Sequence, residues 1–128
     1  MLDHIGLAVT DLGRARAFYS AALAPLGIGV LWEVPAERPG GSTALGFGAA
    51  GKTFFWIAAG EAPKGRAHVA FAAADRATVD AFHRTAMAAG GSDNGAPGIR
   101  AHYHPNYYGA FVLDPDGNNI EAVCHRPE

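Results

Sequence analysis

The same alternation of bulky and small positions opens both halves of the chain. Ile5, Leu7 and Val9 alternate with His4, Gly6 and Ala8, and Val69 and Phe71 alternate with His68, Ala70 and Ala72. A period of two marks a strand, here with one bulky apolar face and one face of small residues plus a histidine. Thr10-Asp11 and Asp75 then offer N-cap oxygens for a helix of about four turns. Its apolar stripe would be Ala15, Phe18, Tyr19, Ala22 and Leu23 in the first half, and Val79, Phe82, Ala86 and Met87 in the second. Gly27 and Gly90-Gly91 stop the helices. Three apolar runs follow each one, at 28–34, 43–48 and 53–59 and at 99–104, 108–113 and 118–124. Pro35 to Gly41 and Ser92 to Gly98 read as connections, and Asp114-Pro115-Asp116-Gly117 as a hairpin turn.

The repeat is regular. His4, Asp11 and Phe18 are spaced as His68, Asp75 and Phe82 are, 64 residues later. The pattern predicts an α+β fold of two tandem βαβββ modules, about 1–62 and 63–128, forming one domain. A helix covers each bulky face, and the small-residue faces curl into a mixed sheet around a cleft. A single histidine at a strand end is ordinarily a hydrogen-bonded polar residue. Two at equivalent positions would line one groove. Glu121 sits mid-strand among apolar neighbours, with Asn119 and Val123 on its face and Ile120, Ala122 and Cys124 on the other. A buried carboxylate there needs a cation or donor. Two imidazoles and one carboxylate converging with open positions make a facial set for a divalent ion, Fe, Mn, Ni, Co or Zn.

Composition narrows the classes. The 128 residues carry 10 Lys and Arg against 12 Asp and Glu, for a net charge of -2. No basic stripe exists for neutralising nucleic-acid phosphates, so a nucleic-acid partner is not expected. No apolar run approaches the roughly 20 residues of a membrane span, and no secretory signal pattern opens the chain. The one cysteine, Cys124, suits a reducing cytoplasm and reads as an inert buried thiol.

The segments DHIGLAVTDLGRARAFY, HVAFAAADRATVDAF and FVLDPDGNNIEAV resemble signatures of the vicinal-oxygen-chelate superfamily, which includes glyoxalase I, extradiol dioxygenases, and fosfomycin- and bleomycin-resistance proteins. The likeness covers essentially the whole chain. It implies paired βαβββ modules with metal ligands on the first strand of each module and the last strand of the second, at His4, His68 and Glu121. It also implies a homodimer. Glyoxalase I has a fourth, carboxylate ligand, which the half-chain offset would put near Ile57 or Phe55, but Thr53 to Ala59 contains no acid. The extradiol tyrosine position, ten residues before the metal carboxylate, is Phe111, although His104 lies suitably upstream.

The densest polar-aromatic stretch runs from Arg100 to Tyr108. As a pocket wall it would supply His104 or His102 as acid/base, Tyr103, Tyr107 and Tyr108 for stacking and Arg100 for an anionic group. Trp56 would line the apolar side. His83 is expected to be exposed on its helix, and His125 is given no role. The expected function is glyoxalase-like: a metal-dependent lyase or isomerase acting on a small metal-chelating oxygenated substrate, with His104 moving a proton. The alternatives are an extradiol-type ring-cleaving dioxygenase and a non-catalytic dimeric small-molecule binding protein of the bleomycin-resistance type.

Overall fold

A computed structural model describes residues 1–36 and 42–128. The first module comprises β1 (Ile5–Val9), α1 (Leu12–Leu23), β2 (Gly29–Pro35), β3 (Ser42–Ala49) and β4 (Lys52–Ala59). The second comprises β5 (His68–Ala72), α2 (Arg76–Ala88), β6 (Ser92–Ile99), β7 (Tyr108–Leu113) and β8 (Asn119–Cys124). Each forms a four-stranded mixed sheet, in the orders β1-β4-β3-β2 and β5-β8-β7-β6. The first strand of each module runs parallel to the last, and the other pairs are antiparallel. The duplication inferred from the sequence is therefore a duplication of topology.

Both helices start where the caps predict. Asp11 accepts from the Arg14 N–H at 3.0 Å and Asp75 from the Thr78 N–H at 2.8 Å, satisfying amide donors that a helix start leaves open. The α1 stripe is buried as expected. On α2, Val79, Phe82 and Ala86 are buried, but Met87 is 37% exposed. Its position, one residue past Ala86, carries it round the helix to the edge of the apolar face. His83 also departs from expectation: its side chain is only 17% exposed because Nε2 meets Asp93 Oδ1 on β6 at 2.9 Å. The bulky faces form a core shared by both halves, in which Phe55 of β4 meets Phe71 of β5 edge to face at 5.3 Å.

The largest difference lies at β6. The run predicted at 99–104 is not a strand; the strand is 92–99, the stretch read as a connection. SDNGAPG lacks alternation because the strand is an irregular edge, with register shifts on both sides of Gly95, whose φ is +150°. Gly and Pro are tolerated at such an edge, where few ladder bonds depend on them. Most of the connection expected between Pro35 and Gly41 lies outside the described residues; Pro35 itself ends β2.

The turn between β7 and β8 locks the modules together. Asp114 is 4% exposed and Asn118 fully buried. Asp114 Oδ2 accepts from the Tyr19 hydroxyl of α1 at 2.5 Å and from Asn118 Nδ2 at 3.0 Å. Its Oδ1 accepts from the backbone N–H groups of Asp116 and Asn118 at 2.9 and 2.8 Å. Asn118 Oδ1 in turn accepts from the Ala67 N–H at 2.8 Å, just before β5. Asp116 accepts from Thr10 at the end of β1, through the N–H at 3.0 Å and the hydroxyl at 2.5 Å. Burial, with the Asp114 charge adding to it, pushes the Tyr19 phenol well above its usual range. Tyr19→Phe leaves a buried carboxylate one donor short and should cost about 1–3 kcal/mol; a lower urea midpoint with an unchanged slope checks this.

Candidate metal and substrate site

The parallel pairing of β5 with β8 matches His68 to Asn119 and Ala70 to Glu121, and β7 places Phe111 opposite Glu121. His68, Asn119, Glu121 and Phe111 thus share the sheet face turned away from α2. His68 Nε2 lies 3.0 Å from Glu121 Oε1, and its Nδ1 is 2.8 Å from Asn119 Nδ2. With the amide donating to Nδ1, the imidazole proton sits on Nε2 and points at the carboxylate. Asn94 Nδ2 holds Asn119 Oδ1 from behind at 3.2 Å. The second Glu121 oxygen, Oε2, accepts from the Tyr107 hydroxyl. Glu121 is 2% exposed and His68 half-exposed, so a buried acid carries an accessible imidazole.

His4 stands apart from this pair. Its Nδ1 meets Asp3 Oδ2 at 2.8 Å, and Lys52 Nζ meets the other Asp3 oxygen at 2.5 Å. Lys52 first, and His4 second, hold the Asp3 carboxyl below its ordinary range. The His4 Nε2 has no hydrogen-bond partner among the described residues. His4 and His68 nevertheless open on one cavity of about 500 Å³, lined also by Ile5, Phe54, Ala70 and Phe71. Among the described residues, no three His, Cys, Asp or Glu side chains form a metal-sized cluster.

Other predicted residues fall into three groups. Tyr107 reaches Glu121. Tyr108 lies on the helix side of the sheet, where its hydroxyl donates to Asp80 of α2 at 2.6 Å and Arg76 covers its ring. His102, Tyr103 and His104 are exposed on the loop after β6. His104 Nδ1 accepts from the Asn106 N–H at 3.0 Å, and its ring lies 5.7 Å from that of His125, which also contacts Tyr107. Arg100 directs its guanidinium at backbone: Nη1 donates to the carbonyls of Gly98 and Gly109 at 2.8 and 3.3 Å, and Nη2 to that of Ala96 at 2.8 Å. Asn119 and Asn94 were not singled out from the sequence. The signal for Asn119 was its place two residues before Glu121 on the same face, whereas nothing local marks Asn94.

Register also locates the first-module equivalent of Glu121. Gly6 pairs with Trp56 as Ala70 pairs with Glu121, so the matching position is Trp56, between the two offsets expected. Across the first sheet this row reads Gly6, Trp56, Gly46, Trp32. The Trp56 indole lies over Gly46, where a Cβ would come within 2.9 Å of it. Trp32 is 61% exposed.

The paired topology agrees with a family comparison. The model of the Glyoxalase/Bleomycin resistance protein/Dioxygenase superfamily matches residues 1–122. The chain belongs to that superfamily. Among solved structures, a glyoxalase/bleomycin resistance protein from Albidiferax ferrireducens T118 is 32% identical, with a TM-score of 0.77 and 99% of both chains covered. TioX from Micromonospora sp. ML1 shares the fold at 19% identity and a TM-score of 0.73, covering 98% of this chain and 99% of the other. So does a fosfomycin resistance protein from Listeria monocytogenes, solved with Mn(II) and 1S,2S-dihydroxypropylphosphonic acid. It is 22% identical, with a TM-score of 0.68 and coverage of 96% and 88%. No protein with a curated description matches the sequence. In this superfamily member, no described helix is long and apolar enough to cross a membrane.

Desolvation, followed by the hydrogen bond to Glu121, pushes the Tyr107 phenol up to about 12. A folded-state value above the unfolded value of about 10 favours the folded state below pH ~10, and that contribution is lost as pH rises toward 12. An ultraviolet titration of tyrosinate should therefore show a component near pH 12 that is missing in Tyr107→Phe.

Proposed function

We propose that the protein is a divalent-metal-dependent lyase or isomerase acting on a small substrate that chelates the ion through two oxygens. The observation that carries this reading is the His68–Glu121 pair. Its 3.0 Å N···O separation is the distance between neighbouring ligands of a six-coordinate ion with bonds of about 2.1 Å. The donor set also fits: one imidazole and one buried carboxylate suit Fe, Mn, Ni, Co or Zn. His4 is the third ligand by its place in the repeat. Its Nδ1 is held by a carboxylate, the arrangement that directs the other ring nitrogen toward a metal. A homodimer fits the same reading, with the third imidazole drawn from either copy, and a reducing cytoplasm suits the buried thiol of Cys124.

When bound, the ion would supply Lewis-acid polarisation of a substrate oxygen. The chain's own residues do the rest. For His68 Nε2 to ligate, the imidazole proton has to move to Nδ1, with Asn119 turning its amide oxygen to accept it. His104, with Nε2 directed away from its bond to Asn106, is the candidate for moving a substrate proton. Tyr103 and His102, whose rings lie 4.2 Å apart at a 47° tilt, would offer exposed ring surface to a substrate.

The Trp56 and Trp32 row favours a second reading, in which the groove binds an aromatic compound without catalysis. Metal analysis separates the two. Protein purified without chelator, or reloaded with Mn(II), should hold close to one ion per site, and Glu121→Gln should lose it while keeping its circular dichroism. Less than about a tenth of an equivalent in the wild type would leave only the binding reading. Oxygen consumption with catechols under Fe(II) would instead favour the extradiol alternative, against which Phe111 stands.

A further inference from the structure

The loop that follows β6 is built around one arginine. Arg100 N–H donates to the Tyr107 carbonyl at 2.7 Å, and the Arg100 carbonyl accepts from Tyr103 at 2.9 Å and His104 at 3.3 Å. The Tyr107 N–H returns to the His104 carbonyl at 3.1 Å. The guanidinium crosses under this loop, over the Phe111 ring at 5.3 Å, and ties the carbonyls of Ala96, Gly98 and Gly109. Gly95 makes this route possible, because a Cβ there would lie 3.0 Å from Arg100 Nη2 and 2.9 Å from Phe111. Three backbone carbonyls of β6 and β7 thereby share one side chain, the backbone of the same residue closes the loop, and Tyr107 leaves the loop toward Glu121. Its ring is flanked by Tyr103 at 5.1 Å and His125 at 5.2 Å, both edge to face.

The two oxygens of Glu121 are therefore not equivalent. Oε1 faces His68, whose ring lines the cavity, whereas Oε2 faces Tyr107. A carboxylate with both oxygens available can rotate and chelate an ion through both of them. One whose second oxygen is held by a fixed phenol offers a single donor.

We propose that Tyr107 is a positioning residue that locks Glu121 in a one-oxygen orientation, with Arg100 holding Tyr107 in place through the loop. The lock exists without metal. Its consequence for a bound ion rests on the metal reading above: one coordination position that a bidentate Glu121 would fill stays open to water or substrate.

Two measurements on the full-length protein test this. In the metal-free state, the infrared difference between wild type and Glu121→Gln identifies the Glu121 carboxylate bands. Tyr107→Phe should shift those bands by removing a donor, and Arg100→Lys, which keeps the charge but loses the forked donors, should shift them in the same direction by less. Unmoved bands in Tyr107→Phe overturn the proposal, whatever the metal does. In the Mn(II)-loaded state, Tyr107→Phe frees Oε2 to join Oε1 on the ion, which adds one protein donor. Water-proton relaxation should then report fewer waters on the ion. Wild type and Tyr107→Phe that both bind Mn(II) with equal water-proton relaxation overturn the coordination consequence. Wild type that takes no Mn(II) sinks the metal reading but leaves the infrared result to decide the lock.

Discussion

A single buried carboxylate holds the architecture in register. Asp114 is taken out of water in the turn between β7 and β8, and an unpartnered charge there would cost several kcal/mol. It is partnered four times, by Tyr19 from the other module and by donors of its own turn. Through Asn118 the same network fixes Ala67, the residue before His68. That bond, together with the Asn119 N–H to Ala67 carbonyl bond of 2.9 Å, starts the parallel ladder in the register that brings His68 beside Glu121. A slip of one residue would turn Glu121 into the apolar core and Ile120 onto the open face. The candidate chemistry thus depends on a turn that touches none of it.

From that frame the two halves have diverged on their open faces and stayed alike on their covered ones. Each covered face still carries a helix whose Phe and Ala stripe meets bulky strand residues. On the open face, the row that reads Ala70, Glu121, Phe111, Gly95 in one module reads Gly6, Trp56, Gly46, Trp32 in the other. Large and small residues have exchanged places in the outer two positions. Where one module has an acid, the other has an indole. One open face is therefore polar at its second position and the other aromatic, and the first strands of both sheets line the cavity on which His4 and His68 open.

Much of this was legible before any coordinates. Period-two alternation at His4 and His68 and the seven-residue spacing to each cap and core Phe specify strand, turn and helix locally, so the repeat and both caps could be read directly. Glu121 stood out because a charge among Ile120, Ala122 and Cys124 is expensive. β6 was hidden, since an edge strand broken by Gly95, Pro97 and Gly98 lacks periodicity and carries one β-branched residue, Ile99, at its very end. The roles of Arg100 and Tyr108 were equally hidden. Each is a residue type that suits a pocket, and only the long-range pairing reveals that one ties backbone carbonyls while the other faces α2. Asp114 looked like turn chemistry, with no local sign that its partner lies 95 residues earlier.

The central claim is that duplication brings an imidazole from each half and one buried acid to a common ion. Crystals soaked in Mn(II) and measured for anomalous scattering test it most directly. The account predicts one strong peak within bonding distance of His68 Nε2 and Glu121 Oε1, with a His4 imidazole, from the same or a second copy, as the third protein ligand. A peak elsewhere, or none beside Glu121 at saturating Mn(II), would contradict it.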